Sequence, residues 1–86
     1  MAPHHLALYY FDECPYCQLV LESIDELNVA VELRNTRQSK DHLNKLVADT
    51  GRKTVPCLYI DGRPMHESQE IVAWLNKNQN QLDKRS

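Results

Sequence analysis

Eighty-six residues are enough for one small domain, whose core must be used economically. A hydrophobic fraction of 42% beside 26% charged residues is the balance of a soluble globular chain. The net charge of −2 leaves no basic footprint for nucleic acid or an anionic membrane surface, and no apolar run approaches bilayer-spanning length. Met1-Ala2-Pro3-His4-His5 lacks the Lys/Arg-plus-apolar layout of a signal peptide. Three cysteines are too few for a disulfide framework, so a reducing, cytoplasmic setting is the expectation.

Residues 6–11, Leu-Ala-Leu-Tyr-Tyr-Phe, form a continuous apolar run, the pattern of a strand covered on both faces. Shortly after comes Cys14-Pro15-Tyr16-Cys17. A Cys-x-x-Cys pair at a strand-to-helix junction marks a thioredoxin-like redox site. The chemistry needs that placement. A helix N-terminus presents unpaired N–H groups and a partial positive charge, and both favour the thiolate, the reactive form of cysteine. Cys14 falls near the N-cap and Pro15 at the first helical position, where its missing N–H costs nothing. Cys17, Val20, Leu21, Ile24 and Leu27 then recur at helical spacing and define a core face. Cys14 is thereby the attacking thiol at the open end, and Cys17 the sheltered resolving thiol.

A short strand over residues 29–33 completes a strand–helix–strand unit, which crosses over right-handedly into a parallel pair. Residues 35–39 read as a polar connection. Ser39 caps a second helix with Asp41 in its first turn and Leu43, Leu46 and Val47 on its buried side; Gly51 stops it. Residues 57–60 and 63–66 flank Asp61-Gly62, a hairpin signal, and Pro64 places the second run at a sheet edge. Ser68 is the expected cap of a last helix whose Ile71, Val72 and Leu75 face inward, with fraying beyond Asn76. The expectation is an α/β chain in the order β-α-β-α-β-β-α. It forms a single domain over residues 1–86, with its core at about 6–75 and a polar tail at about 77–86.

This order of elements, with Cys-Pro-Tyr-Cys at the first turn and Thr54-Val55-Pro56 ahead of the hairpin, resembles the glutaredoxins across almost the whole chain. Thr50-Gly51-Arg52-Lys53-Thr54-Val55-Pro56 looks like that family's Thr-Gly-x-x-Thr-Val-Pro segment. The resemblance implies a thioredoxin-like fold with a four-stranded mixed sheet, order 2-1-3-4, flanked by helices. It also implies a cis peptide bond at Pro56, which an X–Pro bond adopts at small cost. The backbone of Val55 would then pair with the cysteinyl part of glutathione, and an exposed Tyr16 would support the glutathione or partner surface.

Two segments depart from the glutaredoxin pattern. In place of a Gly-Gly-x-Asp-Asp type of segment the chain carries Met65-His66-Glu67-Ser68-Gln69-Glu70-Ile71-Val72. This looks more like the Glu-Ser segment of glutathione S-transferase N-terminal domains and of transferase-like glutaredoxins. By that likeness Glu67 binds the amino group of glutathione, while Ser68 and the helix N-terminal amides bind its α-carboxylate. A solvated acid and a plain helix cap are the bland alternatives for these two residues. Asp12 and Glu13 stand where many glutaredoxins place a Lys or Arg, so a cation for the glycine carboxylate would come from Arg37, Lys40 or Lys53.

The resemblance implies an enzyme: a glutathione-dependent thiol–disulfide oxidoreductase acting through the Cys14/Cys17 dithiol. Its substrates would be glutathionylated or disulfide-bonded proteins. Glutathione would be the co-substrate, with no tightly bound cofactor and no metal, and the chain would work as a monomer. Three other roles fit the motif. A thioredoxin-reductase-coupled electron donor is disfavoured by the Glu-Ser segment. A glutathione-ligated iron–sulfur cluster carrier is disfavoured by Cys-Pro-Tyr-Cys. An isolated transferase-like domain would lack the helical domain that forms the usual second-substrate site. A zinc site would need two further ligands, and only Cys57 and scattered histidines remain. Cys57 reads as a small core residue in preference to a third redox thiol, His66 as an edge-strand surface histidine in preference to a residue near the binding cleft, and His4, His5 and His42 as surface.

Overall fold

The computed structural model describes residues 4–85, and the first apolar run becomes strand β1 (Leu6–Tyr10). Helix α1 (Pro15–Leu27), strand β2 (Glu32–Asn35) and helix α2 (Lys40–Thr50) follow. Strands β3 (Cys57–Ile60) and β4 (Arg63–Met65) then precede helix α3 (Ser68–Asn78) and a 3₁₀ turn, Gln79–Gln81. The sheet order is β2-β1-β3-β4, with β1 parallel to β2 and the other two pairings antiparallel. This is the thioredoxin-like fold that the resemblance implies.

Alternation along β1 distributes its side chains between two cores. Leu6 and Leu8 pack with Val20 and Ile24 of α1, Leu58 of β3 and Ile71 and Leu75 of α3. Ala7 and Tyr9 face the other way and pack with Cys57, Tyr59 and Leu46 of α2. A strand sandwiched in this manner must be apolar on both faces, which explains its continuous run of hydrophobic residues.

The local signals are realised at several ends. Ser39 accepts a hydrogen bond from the His42 N–H at 3.4 Å, and Gly51 closes α2 at a φ of 76°. Asp61 and Gly62 both take positive φ, 53° and 86°, as a two-residue hairpin of the primed kind requires. Pro64 lies on edge strand β4. On α2 only Leu46 is fully buried; Leu43 and Val47 are half-buried.

Three expectations are corrected. The second strand starts at Glu32, not Val29. Asn28 ends α1 in the left-handed region, and the Val29 N–H returns to the Ile24 carbonyl, so Val29 plugs the core beneath α1. Ser68 is the first helical residue of α3, and extended Glu67 occupies the cap position with no side-chain cap bond. The tail is docked rather than frayed. Leu82 is buried in the larger core, Lys84 bridges to Val29, and the Ala30 N–H donates to the Asp83 carbonyl at 2.8 Å. One apolar side chain in an otherwise polar stretch supplies the anchor.

His4 and His42 also do more than sit on the surface. His4 pairs with Asp61 and stands edge-on to Trp74, and His42 stands edge-on to Tyr9. No helix among the described residues is long and apolar enough to cross a membrane.

Candidate active site

Cys14 occupies the N-cap of α1 with extended backbone, and Pro15 follows at the first helical position. The Cys14 N–H donates to the Phe11 carbonyl at 3.3 Å, which closes the turn out of β1. Its sulfur takes the part that a serine or aspartate oxygen usually plays, accepting from the Cys17 N–H at 3.3 Å. Cys14 is 7% exposed and Cys17 is fully enclosed. Both are free thiols. Burial, reinforced by the hydrogen bond with Cys14, pushes the Cys17 thiol up to about 12, so it stays protonated at neutral pH.

Across from the thiol, the Val55–Pro56 peptide bond is cis, and Cys14 Sγ lies 3.9 Å from the Val55 carbonyl oxygen. Next to this junction is a cleft of about 480 Å³. Tyr16, exposed to 63%, forms one part of its wall, residues 54–56 another, and residues 66–70 the rest. The sequence-predicted Tyr16, Val55, Pro56, Glu67 and Ser68 thus share one cleft. Cys14 is not itself in the lining and adjoins the cleft through Val55. A larger hollow of about 680 Å³ lies at the other end of β1, near His5, Ala30 and Asp83, away from the Cys14 turn.

The segment entering α3 supplies the polar character of the cleft. Glu67 is exposed at the cap position, Ser68 is half-buried, and the first-turn N–H groups of the helix have no intrahelical partner. His66 departs from its expected place. It follows β4 rather than belonging to it, and it lines the cleft with a buried Nδ1 that has no hydrogen-bond partner. Burial, and secondarily the Arg52 cation, holds its imidazole below the usual range, while the Glu67 charge acts in the opposite sense. Its position directly ahead of Glu67 was the available clue.

The acidic approach to Cys14 is partly neutralised. Arg37 binds Glu13 at 2.8 Å and lies over the Phe11 ring at 3.9 Å, which commits this cation to the loop before the motif. Cys57 is fully buried in the α2-side core, where burial pushes its thiol up to about 11. It is no part of the cleft lining. Among the described residues no group of three or more His, Cys, Asp or Glu side chains gathers into a metal site.

Fold and site together define a thioredoxin-fold domain with a dithiol at its first strand–helix turn. Residues 8–82 match the sequence profile of the glutathione S-transferase N-terminal domain, and the chain belongs to that family. Among solved structures it is similar to an epsilon-class glutathione S-transferase of the housefly, Musca domestica. The identity is 25% and the TM-score 0.73, over 86% of this chain and 35% of that one. It is also similar to a mutant thioredoxin-like protein at 26% identity and a TM-score of 0.74, covering 88% and 95% of the two chains. Reduced glutaredoxin C1 from Populus tremula x tremuloides shares the fold at 20% identity and a TM-score of 0.68, covering 87% and 67%. No curated protein matches the chain. The chain spans about a third of the length of the housefly transferase. The match over residues 8–82 accordingly names the family, while the glutaredoxin likeness holds at the level of the fold.

Proposed function

We propose that this chain is a glutathione-dependent thiol–disulfide oxidoreductase with Cys14 as nucleophile. The observation that carries this reading is the position of Cys14 Sγ, 3.9 Å from the Val55 carbonyl, with a second thiol, Cys17, one helical turn on. Family membership supports glutathione as the thiol co-substrate.

In the first step the Cys14 thiolate attacks the glutathionyl sulfur of a protein–glutathione mixed disulfide. A Cys14–glutathione bond forms as the substrate S–S bond breaks, and the protein thiolate leaves and takes a proton from water. A glutathione thiolate then attacks the glutathionyl sulfur on Cys14, giving oxidised glutathione and restoring the Cys14 thiolate. Val55, Pro56 and Tyr16 would hold the cysteinyl part in line for both attacks. Glu67 and the Ser68 end of α3 would hold the γ-glutamyl end.

With a protein disulfide as substrate, Cys17 would resolve the Cys14–protein bond, and two glutathiones would reduce the resulting Cys14–Cys17 disulfide. Burial, the largest cause of the raised Cys17 pKa, persists in the Cys14–protein intermediate and slows the attack of Cys17 at neutral pH, which favours the monothiol route.

The test is reduction of a glutathionylated peptide with glutathione, glutathione reductase and NADPH. Cys14→Ser should fall to background, and Cys17→Ser should keep its turnover. Activity only with thioredoxin reductase would replace the electron donor. Conjugation of glutathione to chlorodinitrobenzene without disulfide reduction would favour a transferase. Visible absorbance after anaerobic purification would favour the cluster carrier.

A further inference from the structure

His66 is a residue of the cleft whose chemistry the proposed reaction leaves unused. Its Nδ1 is buried and unpartnered, the residue lines the same wall as Glu67 and Glu70, and a turn of the half-buried ring about its side-chain bonds would bring that nitrogen to the cleft. A buried polar nitrogen without a partner is rare in folded proteins, and at a concave site it points to a ligand group. The charged and titratable groups around it come from three places. Tyr16 of α1 stands in the cleft wall, Arg52 of the α2–β3 loop acts on the ring, and Glu67 and Glu70 belong to the α3 end.

We propose that His66 is a positioning residue for the γ-glutamyl end of glutathione, its Nδ1 accepting a hydrogen bond from the ligand ammonium beside the Glu67 carboxylate. This rests on the glutathione reading above. An ammonium has three N–H donors, and one carboxylate rarely serves them all, so a second acceptor in the same wall completes the site. Two carboxylates in that wall suit a cationic group better than a carboxylate. To accept, Nδ1 must be deprotonated, and burial with the Arg52 cation nearby keeps the ring neutral. As the pH falls through the lowered His66 pKa, the lone pair is lost and a positive charge faces the ammonium. Affinity should therefore be complete in neutral solution and weaken on the acid side.

The probe is S-methylglutathione, which cannot form a disulfide, titrated calorimetrically into the reduced full chain. His66→Leu should bind about tenfold more weakly in neutral buffer, the effect of losing a hydrogen bond to a charged group. His66→Asn places an amide oxygen near the Nδ1 position and cannot titrate. It should bind as the wild type does in neutral buffer and lose the weakening seen as pH falls below the ordinary histidine range. With S-methylcysteinylglycine, which lacks the γ-glutamyl residue, the three proteins should bind alike.

Wild-type affinity in His66→Leu, an equal loss with the truncated ligand, or tighter wild-type binding as pH falls would each overturn the role of His66 alone. Failure of the wild type to bind S-methylglutathione at any pH would overturn the glutathione reading on which the role rests.

Discussion

Three cysteines in one small chain have three different chemical lives, and their positions explain the division. Cys14 sits at a helix N-cap and is slightly exposed, Cys17 is enclosed one turn on, and Cys57 lies in the opposite core. Burial pushes the Cys17 thiol to about 12 and the Cys57 thiol to about 11. A brief native-state treatment with iodoacetamide near neutral pH should therefore alkylate Cys14 first, and peptide mass mapping should find Cys17 and Cys57 labelled only after unfolding. Early labelling of Cys57 would remove it from the core. A second residue-scale cluster lies on the α2 side. Lys45 bonds Asp49 at 2.8 Å and the Tyr59 hydroxyl donates to the same carboxylate at 2.9 Å. The Lys45 contact first, and Tyr59 second, holds the Asp49 carboxyl below its usual range. A carboxyl pKa lowered by folding gives stability above the unfolded-state value and loses it as pH falls. In a carboxyl NMR titration, Lys45→Met should raise the Asp49 pKa more than Tyr59→Phe does. The motif cysteines were legible because spacing, Pro15 and the helical stripe agree. His66 was legible only in part: its place directly ahead of Glu67 pointed to the cleft, but nothing in a single histidine reveals a buried Nδ1 without a partner.

Elements with a strong local signal were the ones the sequence revealed best. In α1, Pro15 at the first position and Val20 and Ile24 on one face agree on a single helix. The Gly51 stop of α2 is equally local. A Cβ built there meets nothing within 4 Å, so the left-handed φ of 76° is the sole obstacle to a side chain. Gly51→Ala should cost about 1 kcal/mol in urea unfolding, with no change in the cleft. Where contacts from distant residues decide the structure, the reading shifted. Val29 looked like the start of a strand, yet it serves as a core plug and the strand begins three residues later. The polar stretch after Asn76 looked mobile because a lone leucine gives no periodic pattern, whereas Leu82 finds the core formed by α1 and α3. Leu82→Ala should lower the unfolding free energy by roughly 2 kcal/mol, measured by denaturant titration. An unchanged midpoint would mean that the tail contributes nothing to the core.

At the scale of the whole molecule, one sheet separates two small cores and brings the first strand–helix turn, the cis-proline junction and the α3 end into one cleft. No local pattern encodes that convergence. Tyr16, residues 54–56 and residues 66–70 are distant in the chain, and their meeting beside Cys14 follows from the sheet order, which came from family resemblance rather than from periodicity. The central claim is that Cys14 takes the glutathionyl group from a mixed disulfide held in this cleft. The most direct measurement is intact-protein mass spectrometry of the reduced Cys17→Ser variant after mixing with one equivalent of a glutathionylated peptide. The account predicts a single glutathione adduct, mapped to Cys14, with release of the peptide as a free thiol. An adduct carrying the peptide in place of glutathione, or a glutathione adduct mapped to Cys57, would contradict it.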